Sequence, residues 1–171
     1  KFDRVVEGAE WLARLLEERW ADVHPQLDEV GFIGRKTPCE ALTRLGEFLT
    51  PLQRAPILAH PRLGSYSGID FQRFLDEGGN AENYGMFRAL LDETPGDDLK
   101  ALVAKIDSVT DAIRRADKVM TENAEGDTST NFDATYDVLK KLRAAVASFA
   151  PPDEVEEEPA EIEQAGTTQG A

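Results

Sequence analysis

The residues that could do nucleophilic or acid–base chemistry in this chain are few. They are Cys39, the histidines His24 and His60, and the serines of Gly64-Ser65-Tyr66-Ser67-Gly68. A cysteine attacks as its thiolate, so it needs a neighbouring base or a helix N-terminus to shed its proton. Cys39 stands at the second position of a helix expected to begin at Pro38, where the helix dipole would lower its pKa. Only His24 and His60 could serve it as bases, and each directly precedes a proline in a turn-like segment. A nucleophile elbow needs a strand that delivers its serine onto a sharp turn before a helix, and no strand is expected to feed the serines here. Gly78-Gly79 lacks the strand–turn–helix setting of a phosphate loop. No CxxC, HxxxH or ExxH pair occurs, and the stretch 127–133 does not follow a calcium loop. The residues therefore identify no catalytic, cofactor-binding or metal site, and the chain reads as a non-enzyme.

Charge narrows the partners. The formal net charge is −14 over 171 residues. Seven acidic residues fall between Asp153 and Ala171, a stretch with no lysine or arginine, so half of the net charge sits on a short C-terminal tail. Nucleic acid is held by clusters of cations that displace counterions. No basic run exists here, which argues against nucleic acid and against anionic membrane surfaces. No apolar stretch approaches the ~20 residues that span a bilayer. No signal peptide precedes the first helix. The absence of an initiator methionine suggests a fragment. A single cysteine fits a reducing compartment.

The elements that would position these residues are mostly helices. Helical spacing places Phe2, Val5, Val6, Ala9, Leu12, Leu16, Trp20 and Val23 on one face of a first helix over about 2–23, closed by His24-Pro25. Trp11 and Leu15 lie beyond that stripe, so the helix is apolar over an arc wide enough for neighbours on two sides. Trp11 is then either packed by another part of this domain or turned towards a partner or a missing N-terminal segment. Thr37-Pro38-Cys39-Glu40 has the form of an N-cap, a first-turn proline and a returning glutamate, which predicts a second helix over 38–48. Pro51, Pro56, Pro61 and Gly64 predict an irregular, extended segment over 50–67, with a short β-hairpin as one form it could take. Ser67 and Asp70 cap a short helix to about residue 76, and another runs over 81–93. Leu99, Leu102, Ile106, Val109, Ile113, Ala116 and Met120 follow strict 3–4 spacing, which suits an antiparallel partner. A sixth helix over 132–149 supplies it with Leu139, Leu142, Val146 and Phe149. The expected fold is an all-α, multi-helix bundle over 1–150, ending in a long antiparallel helix pair. Residues 151–171 read as an acidic, disordered interdomain linker.

The run from Gly8 to Pro25, Gly-Ala-Glu-Trp-Leu-Ala-Arg-Leu-Leu-Glu-Glu-Arg-Trp-Ala-Asp-Val-His-Pro, resembles the signature of the ImpA/TssA N-terminal domain. That signature is a leucine-rich helix with a leading glycine and a final tryptophan, followed by aspartate and His-Pro. Arg54-Ala55-Pro56-Ile57-Leu58 and Gly64-Ser65-Tyr66-Ser67-Gly68-Ile69-Asp70 are similar to the family's Arg-Ala-Pro segment and its Ser-initiated short helix. The resemblance covers about Val6 to Phe149. It departs after Leu27, where Asp28-Glu29 gives way to Val30-Gly31-Phe32-Ile33-Gly34 instead of a longer acidic run.

The resemblance implies a cytoplasmic, bacterial assembly scaffold of the type VI secretion system, working with baseplate, sheath and inner tube. It implies no catalysis and no cofactor. It also implies that the domain's first helices lie upstream, and that the full protein is homo-oligomeric through a missing C-terminal domain. Candidate partner contacts are Trp11, His24, Pro25 and Leu27, with Arg54, Pro56 and Tyr66 on the Pro-rich segment. The alternatives are a helical adaptor unrelated to secretion, and a small hydrolase built on Cys39 and a histidine.

Overall fold

The computed structural model describes residues 2–152. The acidic linker expected over 151–171 lies outside them except for Pro151 and Pro152. The described chain is predominantly helical and carries one two-stranded sheet. The fold is thus broadly all-α as expected, and the short β-hairpin is the form that the Pro-rich segment takes. The hairpin runs β1 (Pro56–His60) to β2 (Gly64–Ser67), antiparallel, with Leu58 opposite Tyr66 and His60 opposite Gly64. Gly64 has a φ of +101°, and a Cβ there would come within 3.1 Å of the Tyr66 hydroxyl oxygen. The turn therefore needs glycine on both conformational and steric grounds.

Helix α1 (Phe2–Arg19) buries Phe2, Ala9, Ala13 and Leu16. It stops short of Val23, and the chain leaves it through a turn in which the Asp22 and Val23 N–H groups share the Arg19 carbonyl (2.9 Å each). The α1 face beside its buried stripe is fastened to α7 (Gly96–Glu122) by charge. Arg115 donates to both Glu17 oxygens (2.9 and 2.5 Å) and to Glu10 (2.7 Å), and Lys105 meets Asp3 at 2.7 Å.

Between α1 and the hairpin the expected second helix over 38–48 is not formed. Short elements replace it: α2 (Leu27–Val30), α3 (Ile33–Glu40), a 3₁₀ turn over Ala41–Thr43, a π turn over Leu45–Leu49, and α4 (Thr50–Arg54). Pro38 lies inside α3, and the chain extends only at Arg44 (φ −94°, ψ 137°). Thr37 is no cap; its hydroxyl donates to the Ile33 carbonyl one turn back (2.9 Å). Packing outweighs the local start signal here, because starting the helix earlier buries Phe32 and Arg35. Pro51 is accommodated in the first turn of α4, where a missing N–H costs little. The segment over 50–67 is thus a short helix and a hairpin, not an irregular stretch.

Capping succeeds where the sequence signal is unopposed. The Ser67 N–H and hydroxyl both donate to Asp70 Oδ2 (2.8 Å each) at the start of α5 (Gly68–Glu77). Helix α6 (Tyr84–Glu93) begins three residues later than expected, after Asn83 adopts a left-handed φ of 65°. Along α7 the residues expected inside are buried, with Leu102 only partly so. Helix α8 (Asp133–Ala147) buries Thr135, Leu139, Leu142, Ala145 and Val146. It meets α7 through Tyr136, whose hydroxyl donates to Asp117 (2.8 Å), and through Arg143 to Asp107 (2.6 Å).

Aromatic rings cluster where β2, α5, α6 and the segment just after α8 converge. Phe87 stacks on Phe74 at 4.3 Å and takes edge contacts from Phe71, Tyr66 and Phe149 at 5.0, 5.3 and 5.2 Å. Offset and edge-on rings of this kind add to simple area burial.

Candidate interaction surface

The groups able to do chemistry sit on different elements. Cys39 is buried in the last turn of α3, not in a first turn. Burial, and secondarily Glu40, pushes its thiol up to about 11, so it is protonated at neutral pH. His60 lies in β1, and its Nδ1 accepts the Arg62 backbone N–H at 3.2 Å. Contrary to the expectation that no strand precedes the serines, β2 leads directly into α5. Ser67 stands at that junction in ordinary extended conformation (φ −104°, ψ 177°), with its hydroxyl committed to Asp70 as a helix cap. Among the described residues no group of three or more His, Cys, Asp and Glu side chains is placed to hold a metal ion.

A groove of about 570 Å³ runs between α5 and α8 and is lined by side chains of both signs, including Arg73, Asp76 and Lys141. Its polar groups are partly tied to one another: Arg73 meets Asp70 at 3.3 Å, and Gln72 donates to Asp76 at 2.9 Å. Neither Cys39 nor a histidine reaches it. A smaller groove of about 270 Å³ is almost wholly apolar. Arg4, Val5, Gly8, Ala9 and Leu12 of α1 form one wall, and Leu42, Phe48 and Ile113 complete it.

Trp11 stands on the same side of α1, one turn after Gly8. It is 66% exposed, so no other described part of the domain packs it. Leu15 follows one turn on and is half-buried. The wide apolar arc of α1 therefore has two halves. One half packs on α7; in the other, Leu12 lines the apolar groove and Trp11 and Leu15 flank it on the solvent side.

The remaining contact candidates divide. His24 and Leu27 are exposed and Pro25 half-buried at the corner after α1, where Val30 and Ile33 are exposed as well. Arg54 and Pro56 are exposed at the end of α4 and the start of β1. Tyr66 is not a surface residue. It is 6% exposed, its hydroxyl donates to the Leu63 carbonyl (2.7 Å), and its ring joins the Phe74–Phe87 stack. Burial raises its phenol pKa. As an inward-facing aromatic of a hairpin closed by Gly64, it belongs to the core. The candidates thus form at least two separate patches rather than one site.

Sequence reasoning overlooked Arg35, which shapes the corner. Its guanidinium is buried over the Trp20 ring (4.6 Å to the centroid). It donates to the carbonyls of Trp20, of Val23 (2.8 Å) and of Pro25 (3.1 Å). These carbonyls lie just past the C-terminus of α1, where carbonyl groups lack helical donors and the dipole favours a cation. Burial lowers the guanidinium pKa from its ordinary value, though a guanidinium stays charged. A signal was present: from Trp20 to Gly34 the chain has no lysine or arginine, so Arg35 is the first cation after α1 able to turn back onto it.

No family model matches this chain, and neither a curated protein nor a solved structure does. Among the described residues no helix is long and apolar enough to cross a membrane.

Proposed function

We propose that this chain is a non-catalytic interaction module in the assembly of a type VI secretion apparatus, with α7 and α8 as the antiparallel pair of a multi-helix bundle. The observation that carries the reading is Trp11. It is a large aromatic, 66% exposed beside an apolar groove, within the Gly8-to-Pro25 block that resembles the ImpA/TssA N-terminal domain. Exposed tryptophans at helix faces supply large contact area at small entropic cost and are enriched at binding hot spots. The buried, protonated thiol of Cys39 speaks against the hydrolase alternative. In this reading the partners are baseplate, sheath or inner-tube components, met in the cytoplasm, and oligomerisation of the full protein comes from a further C-terminal domain.

The test is capture of binding partners from lysate of a bacterium that carries a type VI machine, using the full chain as bait and identifying retained proteins by mass spectrometry. Recovery of baseplate, sheath or tube subunits is expected. Consistent recovery of unrelated partners would favour a helical adaptor outside secretion.

A further inference from the structure

The open half of α1 has a pattern that a second copy of the same helix would complete. Trp11 is at its centre. Arg4 precedes it by seven residues and Glu18 follows it by seven. Each is therefore about 10 Å from Trp11 along the axis, in opposite directions. Both are exposed and, at 100° per residue, both fall on the Trp11 side of the helix; Glu18 accepts from Arg14 of its own helix at 3.2 Å, an exposed i,i+4 pair that leaves its carboxylate able to take a second cation. A two-fold axis perpendicular to α1 at Trp11 brings an antiparallel copy of the helix over this face. It sets Arg4 opposite the partner's Glu18, and Glu18 opposite the partner's Arg4.

The steric pattern has the same centre. Gly8 and Leu15 lie nearly equidistant from Trp11 on this face, so Leu15 of each copy comes opposite Gly8 of the other. Gly8 is exposed, and a Cβ built on it meets no atom within 4 Å, which leaves a recess for the incoming leucine. The Trp11 rings come side by side on the axis. Such an interface is isologous, with each contact occurring twice, and its two ion pairs fix an antiparallel rather than a parallel register. The charges that bind α1 to its own domain, Asp3, Glu10 and Glu17, lie towards α7 and are not needed for the contact.

We infer that the Trp11 face of α1 is a homodimer interface, in which two copies of this chain pack antiparallel about Trp11 with reciprocal Arg4–Glu18 pairs. The inference rests on reading α1 as an interaction face, and it names the first occupant of that face as a second copy.

Sedimentation of the purified full chain, across concentration at low salt, tests it. The wild type is expected to dimerise. Arg4→Glu and Glu18→Arg should each weaken dimerisation by about tenfold or more by setting like charges opposite one another, and the double reversal should restore it. Trp11→Ala should leave a monomer. At concentrations where the wild type is monomeric all variants should melt with it, since each residue is exposed on a helix whose buried side is untouched; at higher concentration only the wild type and the double reversal should gain melting temperature. A wild type that stays monomeric throughout, or a double reversal no better than the single ones, overturns the inference. A monomeric chain that still captures secretion components would overturn the dimer while leaving the proposed function standing.

Discussion

Phe87 and Trp11 are both large aromatics on helices, and the chain treats them in opposite ways. Phe87 on α6 is fully buried, touched by rings from β2, α5 and the segment after α8, and its environment is completed within the domain. Trp11 on α1 stands beside a groove with Leu12 and Leu15 and leaves two-thirds of its surface in solvent. The aromatic cluster buries its rings against one another, whereas the α1 face leaves its largest ring in solvent. Arg115 and Arg35 repeat the contrast for charge. Arg115 holds α1 to α7 at the surface through carboxylates, and Arg35 is buried among carbonyls.

Substitutions that separate the two regions should differ in size. Phe87→Ala removes the ring on which the cluster is built and should cost about 3–5 kcal/mol of unfolding free energy, read by urea denaturation. Arg35→Met keeps the bulk over Trp20 but orphans three carbonyls; a loss of roughly 2–4 kcal/mol is expected. The corner after α1 should then show faster amide exchange than α7. Arg115→Ala should lower the melting temperature at neutral pH and low salt by less than either. The hydrogen bond from Arg115 holds the Glu17 carboxyl below its ordinary pKa. Its contribution is therefore present above the usual carboxylate range and fades as pH falls through the lowered value. The melting difference between Arg115→Ala and wild type should close in acid and in high salt. Trp11→Ala should change stability least, within about 0.5 kcal/mol, while changing association most.

Much of this division is legible in the sequence. The 3–4 spacing of Leu99 to Met120 predicts α7 and its buried face, and Ser67 with Asp70 predicts the start of α5. The excess apolar arc of α1 marks Trp11 as a residue needing a neighbour, though the sequence leaves open whether the domain supplies it. The region over 20–67 is the hardest to read. Thr37-Pro38 imitates a helix start, but Phe32 and Arg35 are buried only if the helix begins earlier, and nothing local encodes that preference. Tyr66 looks like an exposed residue of a Pro-rich segment until Gly64 closes the hairpin and turns its ring inward. Arg35 is invisible to periodicity, because its partners are backbone carbonyls 10, 12 and 15 residues earlier in the chain.

The central claim is that the Trp11 face binds rather than packs. Capture of baseplate, sheath or tube subunits by the wild-type chain and by Trp11→Ala, measured beside their melting curves, tests it most directly. The claim predicts coincident melting, at a concentration where the wild type is monomeric, and a clear loss of capture in the variant. A large drop in melting temperature, or undiminished capture by Trp11→Ala, would contradict it.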